Sequence, residues 1–188
     1  KACENNEIEV IYYLLSKEQE ITEFFFSKNA QIKQISIPPS ITSIEENSFD
    51  GCSSLTQISI PSSVVSIGCN AFYECYSLKQ ISIPSSVTEI KPYTFKGCTS
   101  LTHISIPLSI TSIGKSAIKG CTSLTQITIP SSVIEIGKGC FKGCTSLVRI
   151  SIPSSVTTIR DSTFKGCTSL TQISIPSSVT SIERRSFD

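Results

Sequence analysis

The chain has 188 residues, a formal net charge of +1, and charged residues over only 16% of its length. Its lysines and arginines are scattered, with Lys115, Lys138 and Lys142 the nearest approach to a cluster, so the composition argues against a nucleic-acid binder. No apolar run approaches the roughly 18 residues that cross a bilayer, so no membrane insertion of this segment is expected.

Residues 1–20 stand apart from the rest of the chain. Ile8, Ile11, Tyr12 and Leu15 recur at i, i+3, i+4 and i+7, which predicts a helical N-terminal cap, acidic through Glu4, Glu7, Glu9, Glu18 and Glu20. The alternative is the tail of a separate upstream domain. From Ile21 a degenerate repeat can be aligned, with Phe26 in the place of Phe49 and Ile32 in the place of Leu55. Beyond it Ile-Pro recurs seven times, from Ile37-Pro38 to Ile175-Pro176, every 23 residues and without insertion. A fixed period of this length marks a repeat solenoid, in which each unit buries its apolar face against its neighbours. Residues 21–188 are therefore read as one solenoid. Its last repeat is incomplete, since Ser186-Phe187-Asp188 matches Ser48-Phe49-Asp50 and then stops. An end-to-end homodimer through that open end is a possible partner arrangement.

One unit, Leu55 to Leu78, shows the expected elements. Ile58 and Ile60 alternate with polar residues, the signature of a strand with one buried face. Pro61 ends it, because proline lacks the N–H that a ladder needs. Ser62 and Ser63 make a turn, Val64 and Ile67 point inward, and Gly68 permits a bend. Ala71-Phe72 is predicted on a short helical or 3₁₀ segment, and Cys75 and Leu78 close the unit.

Every inward position becomes a column along the chain. One runs Ile58, Ile81, Ile104, Ile127, Ile150, Ile173; another runs Phe49, Phe72, Phe95, Ile118, Phe141, Phe164, Phe187, with Ile118 the one smaller member. The unit fits a leucine-rich repeat written L-x-x-I-x-I, and Leu101, Ile104, Ile106, Pro107, Ile110, Ile113, Ala117 and Cys121 carry the longer pattern. On these residues the chain resembles the BspA-like, or Treponema pallidum-type, leucine-rich repeat family. The resemblance implies a parallel β-sheet on one face of the solenoid and loops or 3₁₀ turns on the other. It further implies a non-enzymatic surface protein of a bacterium or parasitic protist that adheres to host matrix or cell-surface proteins. Where the wider superfamily places Asn or Cys after the strand, this chain has Ser63, Ser86, Ser109, Ser132, Ser155 and Ser178, whose hydroxyls can bond to neighbouring turns.

Nine cysteines invite disulfides or zinc, but Cys52, Cys75, Cys98, Cys121, Cys144 and Cys167 occupy one repeating position. That is a packing column of small buried hydrophobes. Cys140 and Cys144 have no histidine or second pair nearby, so neither a metal nor another cofactor is expected. The single histidine, His103, lies on a strand with no carboxylate in its own unit; Glu89 is the nearest candidate in the preceding one. No catalytic constellation is in view.

The outward strand positions are the candidate protein-binding surface. Their central row reads Gln34, Gln57, Gln80, His103, Gln126, Arg149, Gln172, and the row before it includes Lys79, Thr102 and Val148. Stacked Gln and Thr ladders that bond along the solenoid account for most of these. His103 and Arg149 interrupt the row, so packing does not demand them. The footprint is therefore placed on His103, Gln126, Val148, Arg149, Gln80 and Lys79, with arginine as the anchor. The implied location is the cell surface. The alternative is a cytoplasmic adaptor on a signalling enzyme such as a phosphatase, a reading that unpaired thiols favour.

Overall fold

Proline placed after each strand, and apolar residues every second position before it, bend the chain into stacked coils. The computed structural model describes residues 20–21 and 32–188, so the helical cap expected over residues 1–20, and Phe26, lie outside the described residues apart from Glu20. One set of strands comprises Gln34–Ser36, Gln57–Ser59, Gln80–Ser82, His103–Ser105, Gln126–Thr128, Arg149–Ser151 and Gln172–Ser174. Where paired, they run parallel with a register of 23, as in Ile127 opposite Ile150 and Ile150 opposite Ile173. This is the sheet the repeat predicts. Its hydrogen-bonded pairing is interrupted after Gln57–Ser59 and again after His103–Ser105.

The opposite side is more ordered than the sequence suggests. Val64 and Ile67 do point inward, but Ser66–Ile67 and its equivalents also pair as a second, shorter parallel ladder. That ladder begins at Glu20–Ile21, which lies opposite Ser43–Ile44. The helical or 3₁₀ segment expected at Ala71-Phe72 is absent, and the described residues contain no helix at all. Instead the amides alternate in direction. Ala71, Tyr73 and Cys75 donate three residues back, to Gly68, Asn70 and Phe72, while Asn70, Phe72 and Glu74 donate to Pro92, Thr94 and Lys96 of the next coil. A helix would need all of these amides for itself. Two residues per coil at positive φ, here Asn70 (φ 53°) and Glu74 (φ 53°), also break any helical run.

The core is a set of columns, as the period predicts. Phe49, Phe72, Phe95, Phe141 and Phe164 are fully buried. Phe49 and Phe72 stack with ring centroids 5.1 Å apart, and Phe72–Phe95 and Phe141–Phe164 follow at 5.6 Å. Ile118 is equally buried, and the backbone passes it unbroken, with its amide 3.1 Å from the Cys140 carbonyl.

Two polar columns hold adjacent coils. Ser63 donates to the Ile41 carbonyl at 2.7 Å and Ser109 to that of Val87 at 2.6 Å, and Ser86, Ser132, Ser155 and Ser178 do the same one coil apart. Thus the serines do bond between turns. The cysteines form the packing column and add a bond. Cys75 and Cys98 donate S–H to the Phe49 and Phe72 carbonyls at 3.1 Å, and Cys121, Cys144 and Cys167 continue the row. All eight described cysteines are free. Burial pushes the Cys98 thiol up to about 12 and raises Cys75, Cys121 and Cys140 well above the usual range.

The corner before each residue of the phenylalanine column comes in two versions. Where it carries a side chain (Glu45, Lys91, Arg160, Glu183), the residue three later is Ser48, Thr94, Thr163 or Ser186. Each of these hydroxyls donates back to the corner carbonyl at 2.5–2.7 Å. Where the corner is Gly68, Gly114 or Gly137, the later residue is Ala71, Ala117 or Cys140. A Cβ on Gly68 would lie 2.4 Å from the Glu46 amide nitrogen, so these coils close more tightly than a side chain allows.

This packing has three measurable consequences. Phe72→Ala empties the middle of the ring stack and lowers unfolding stability by about 3–5 kcal/mol, read as an earlier urea midpoint. Glu74 occupies a column that is otherwise glycine (Gly51, Gly97, Gly120, Gly143, Gly166), all at positive φ. Relief of its left-handed strain, roughly 1–2 kcal/mol, outweighs the added flexibility of glycine, roughly 0.5–1 kcal/mol. Glu74→Gly therefore raises the thermal midpoint, even though it removes the 2.6 Å bond that the carboxylate accepts from Tyr76. Finally, iodoacetamide at mildly alkaline pH modifies half-buried Cys69 well before Cys98, Cys121 or Cys144, followed by mass spectrometry of peptides. Equal rates would contradict a sealed thiol column.

Candidate functional site

The long-strand face is built by the period-2 alternation itself. With Ile81, Ile104, Ile127 and Ile150 turned into the core, Gln80, His103, Gln126 and Arg149 must point outward, and all four are exposed. Lys79 is exposed as well, and Val148 is 42% exposed beside Arg149. The six residues lie on, or immediately before, two neighbouring sets of paired strands. Gln80 lies opposite His103 in one paired set of strands, and Gln126 lies opposite Arg149 in the next. The interruption after His103–Ser105 falls between them.

Two open hollows lie on this face. One, of about 420 Å³, is lined by Gln57, Gln80 and His103 with Ser59, Ser82 and Ser105. The other, of about 710 Å³, lies over Gln126, Arg149 and Gln172 with Thr128, Ser151 and Ser174. In the second, Arg149 reaches along the sheet: its Nε donates to Gln126 Oε1 at 2.9 Å, and its Nη2 donates to the same oxygen. With that acceptor taken, the pair presents mainly N–H donors to a partner.

Threonines on this face behave as a ladder. Thr56 and Thr102 donate to the Lys33 and Lys79 carbonyls one coil back, at 2.8 and 3.1 Å. The glutamines do not. Among the described residues only Gln126 has a side-chain bond to the adjacent coil, and the amide groups of Gln34, Gln57, Gln80 and Gln172 are not used to tie coils together.

Glu89, the nearest acidic candidate for His103, sits on the short-strand ladder, at Glu89–Ile90, with Lys91 3.9 Å away. His103 and Glu89 therefore face different sides of the coil. Among the described residues no group of three His, Cys, Asp or Glu side chains is placed to hold a metal ion, and no helix is long and apolar enough to cross a membrane.

Sequence reasoning missed some exposed features. Leu108 is 74% exposed in the turn after Pro107, in a column that is otherwise proline or serine (Pro39, Ser62, Ser85, Ser131, Ser154, Ser177). The test that singled out His103, an odd member in a uniform column, finds Leu108 as well. Val65 and Ile134 are also exposed, three coils apart and immediately before the short strands Ser66–Ile67 and Glu135–Ile136.

Comparison with known proteins agrees with this geometry. The family model for the BspA type leucine-rich repeat region matches residues 19–148 and 90–188. The Treponema pallidum leucine-rich repeat protein superimposes with a TM-score of 0.77 at 34% identity, covering 80% of this chain and 72% of that one. A leucine-rich repeat protein of Bacteroides ovatus gives 0.81 at 38% identity, covering 90% of this chain but only 45% of that one. A leucine-rich cell-surface protein of Faecalibacterium prausnitzii gives 0.59 at 26% identity, with 87% and 60% covered. A search of curated proteins returns no significant match. Period, inward columns, paired ladders and these likenesses agree, and the chain belongs to the BspA-type leucine-rich repeat family.

Proposed function

We propose that the long-strand face is a protein-recognition surface, and that the chain works without catalysis as an adhesion module binding host matrix or cell-surface proteins. The observation that carries this reading is the row of exposed glutamines whose amides do not bond between coils, interrupted by His103 and by the Arg149–Gln126 pair. Stacking needs none of these side chains, and arginine beside an exposed valine is the composition of an interface anchor. The donor-rich character of the pair suits a partner that offers carboxylates or strand carbonyls. The open hollows, with His103 and Glu89 on different sides, support binding over chemistry. Likeness to the Faecalibacterium prausnitzii cell-surface protein supports an exported location.

A second reading, a cytoplasmic adaptor on a signalling enzyme, is favoured by the eight free cysteines. The two readings separate in one experiment. The purified chain is passed over immobilised matrix proteins, fibronectin among them, and over a cytosolic extract. Adhesion through this face predicts saturable matrix binding that His103→Gln with Arg149→Gln weakens about tenfold, or about 1.4 kcal/mol. Unchanged affinity in the double variant would remove this face from consideration. A cytosolic enzyme retained without matrix binding would favour the adaptor.

A further inference from the structure

The lysines that look scattered along the chain are gathered by the coil. Lys96, Lys119, Lys142 and Lys165 are spaced by 23 residues and occupy one position of four successive coils, on the turn segment and away from the long strands. Backbone bonds set their separation: Gly97 donates to the Lys119 carbonyl, Gly120 to that of Lys142 and Gly143 to that of Lys165, each at 2.8 Å. Lys115 and Lys138 form a second, exposed row, tied in the same way by Tyr93 and Ser116 at 3.0 Å. The rows adjoin, since the ammonium groups of Lys96 and Lys115 each lie 5.6 Å from the centre of the Tyr93 ring.

Few of these charges are neutralised. Lys138 pairs with Asp161 at 2.6 Å and Lys165 with Asp188 at 3.6 Å, at one end of the column. Among the described residues no carboxylate forms an ion pair with Lys96, Lys115, Lys119 or Lys142. Partial burial, with Lys96 and Lys142 on either side, holds the Lys119 ammonium below its usual range. An array of like charges this close costs free energy until an anion lies along it.

We propose that the column from Lys96 to Lys142, flanked by Lys115 and Lys138, is a docking track for a linear sulfated polysaccharide. The charges run in single file along the stacking axis, one per coil, with core rings in adjacent coils 5.1–5.6 Å apart. A linear polymer with an anionic group on successive sugars matches that repeat, whereas a globular acidic protein touches only part of a narrow line and a membrane plane leaves most of its charge off it. Lysine suits sulfate as a mobile point charge. A single-stranded nucleic acid fits less well, because its bases need open aromatic faces on which to stack. The Tyr73 and Tyr93 rings are already faced by lysine ammonium groups, with Lys96 4.7 Å from the Tyr73 centroid. This track is independent of the long-strand face and of the reading given for it.

The test uses the full chain, a heparin oligosaccharide and an oligodeoxythymidylate of matched charge, titrated calorimetrically at several salt concentrations. The oligosaccharide is expected to bind more tightly than the DNA. Lys119→Gln with Lys142→Gln should weaken it at least tenfold and lower the salt slope by about one per lysine removed. His103→Gln with Arg149→Gln should leave it unchanged. Circular dichroism checks the fold, and if the first pair does not fold, Lys115→Gln with Lys138→Gln carries the same expectation. No heparin binding at about 0.15 M salt, tighter binding of the DNA, or affinity that survives the lysine changes would overturn the track.

Discussion

In each coil the amide of the residue that fills the core column donates to the carbonyl of the small residue ahead of the next one. Phe49 donates to Ala71, Phe72 to Thr94, Phe95 to Ala117, Ile118 to Cys140, Phe141 to Thr163 and Phe164 to Ser186, all at 2.8–3.1 Å. The bond joins residues 22 apart, so it forms only if every coil has the same length. A single inserted residue would move the phenylalanine out of its stack and the cysteine thiol away from its carbonyl. The unbroken period is therefore a condition of the hydrogen-bonded frame, and ring stacking and side-chain columns are arranged upon it.

That frame also explains how so many small polar residues sit in and beside the core without penalty. The serine after each strand and the cysteine after each turn use backbone carbonyls of the preceding coil, and the corner hydroxyls use their own coil. Among the described residues no buried side-chain nitrogen or oxygen lacks a partner. Burying an unpaired hydroxyl costs roughly 1–3 kcal/mol, so the match between hydroxyl and acceptor at each repeat matters as much as apolar volume. Glycine at the corner with alanine or cysteine three residues later, and a side chain there with a hydroxyl three residues later, are two solutions to one closure.

Because backbone and inward side chains supply the stability, outward positions are released to carry chemistry. The coil offers two such surfaces. The long-strand face carries glutamine amides, His103 and the Arg149–Gln126 pair above open hollows. The turn face carries stacked lysines whose spacing the frame sets. The first suits a partner with acceptors distributed over a surface, the second a partner with charge distributed along a line.

The inward columns were legible in the sequence because burial and a strict period constrain them together. Ile58, Val64, Ile67, Phe72, Cys75 and Leu78 all point inward as their spacing requires, and the serine and cysteine columns bond between turns. The exposure of His103, Gln126 and Arg149 came from the same alternation. Three features were decided only by the tertiary structure. The second strand ladder depends on bonds between coils, because two residues such as Ser66–Ile67 are too short to carry a periodic signal. The turn segment reads as helix locally, yet alternate amides find partners in the next coil and two residues per coil sit at positive φ. The lysine track is invisible to charge counting along the chain, since its members are 23 residues apart in sequence. Sequence determined which residues face inward, because one coil suffices to define inside. Stacking decided which surface residues become neighbours, because adjacency across the coils belongs to the repeat as a whole.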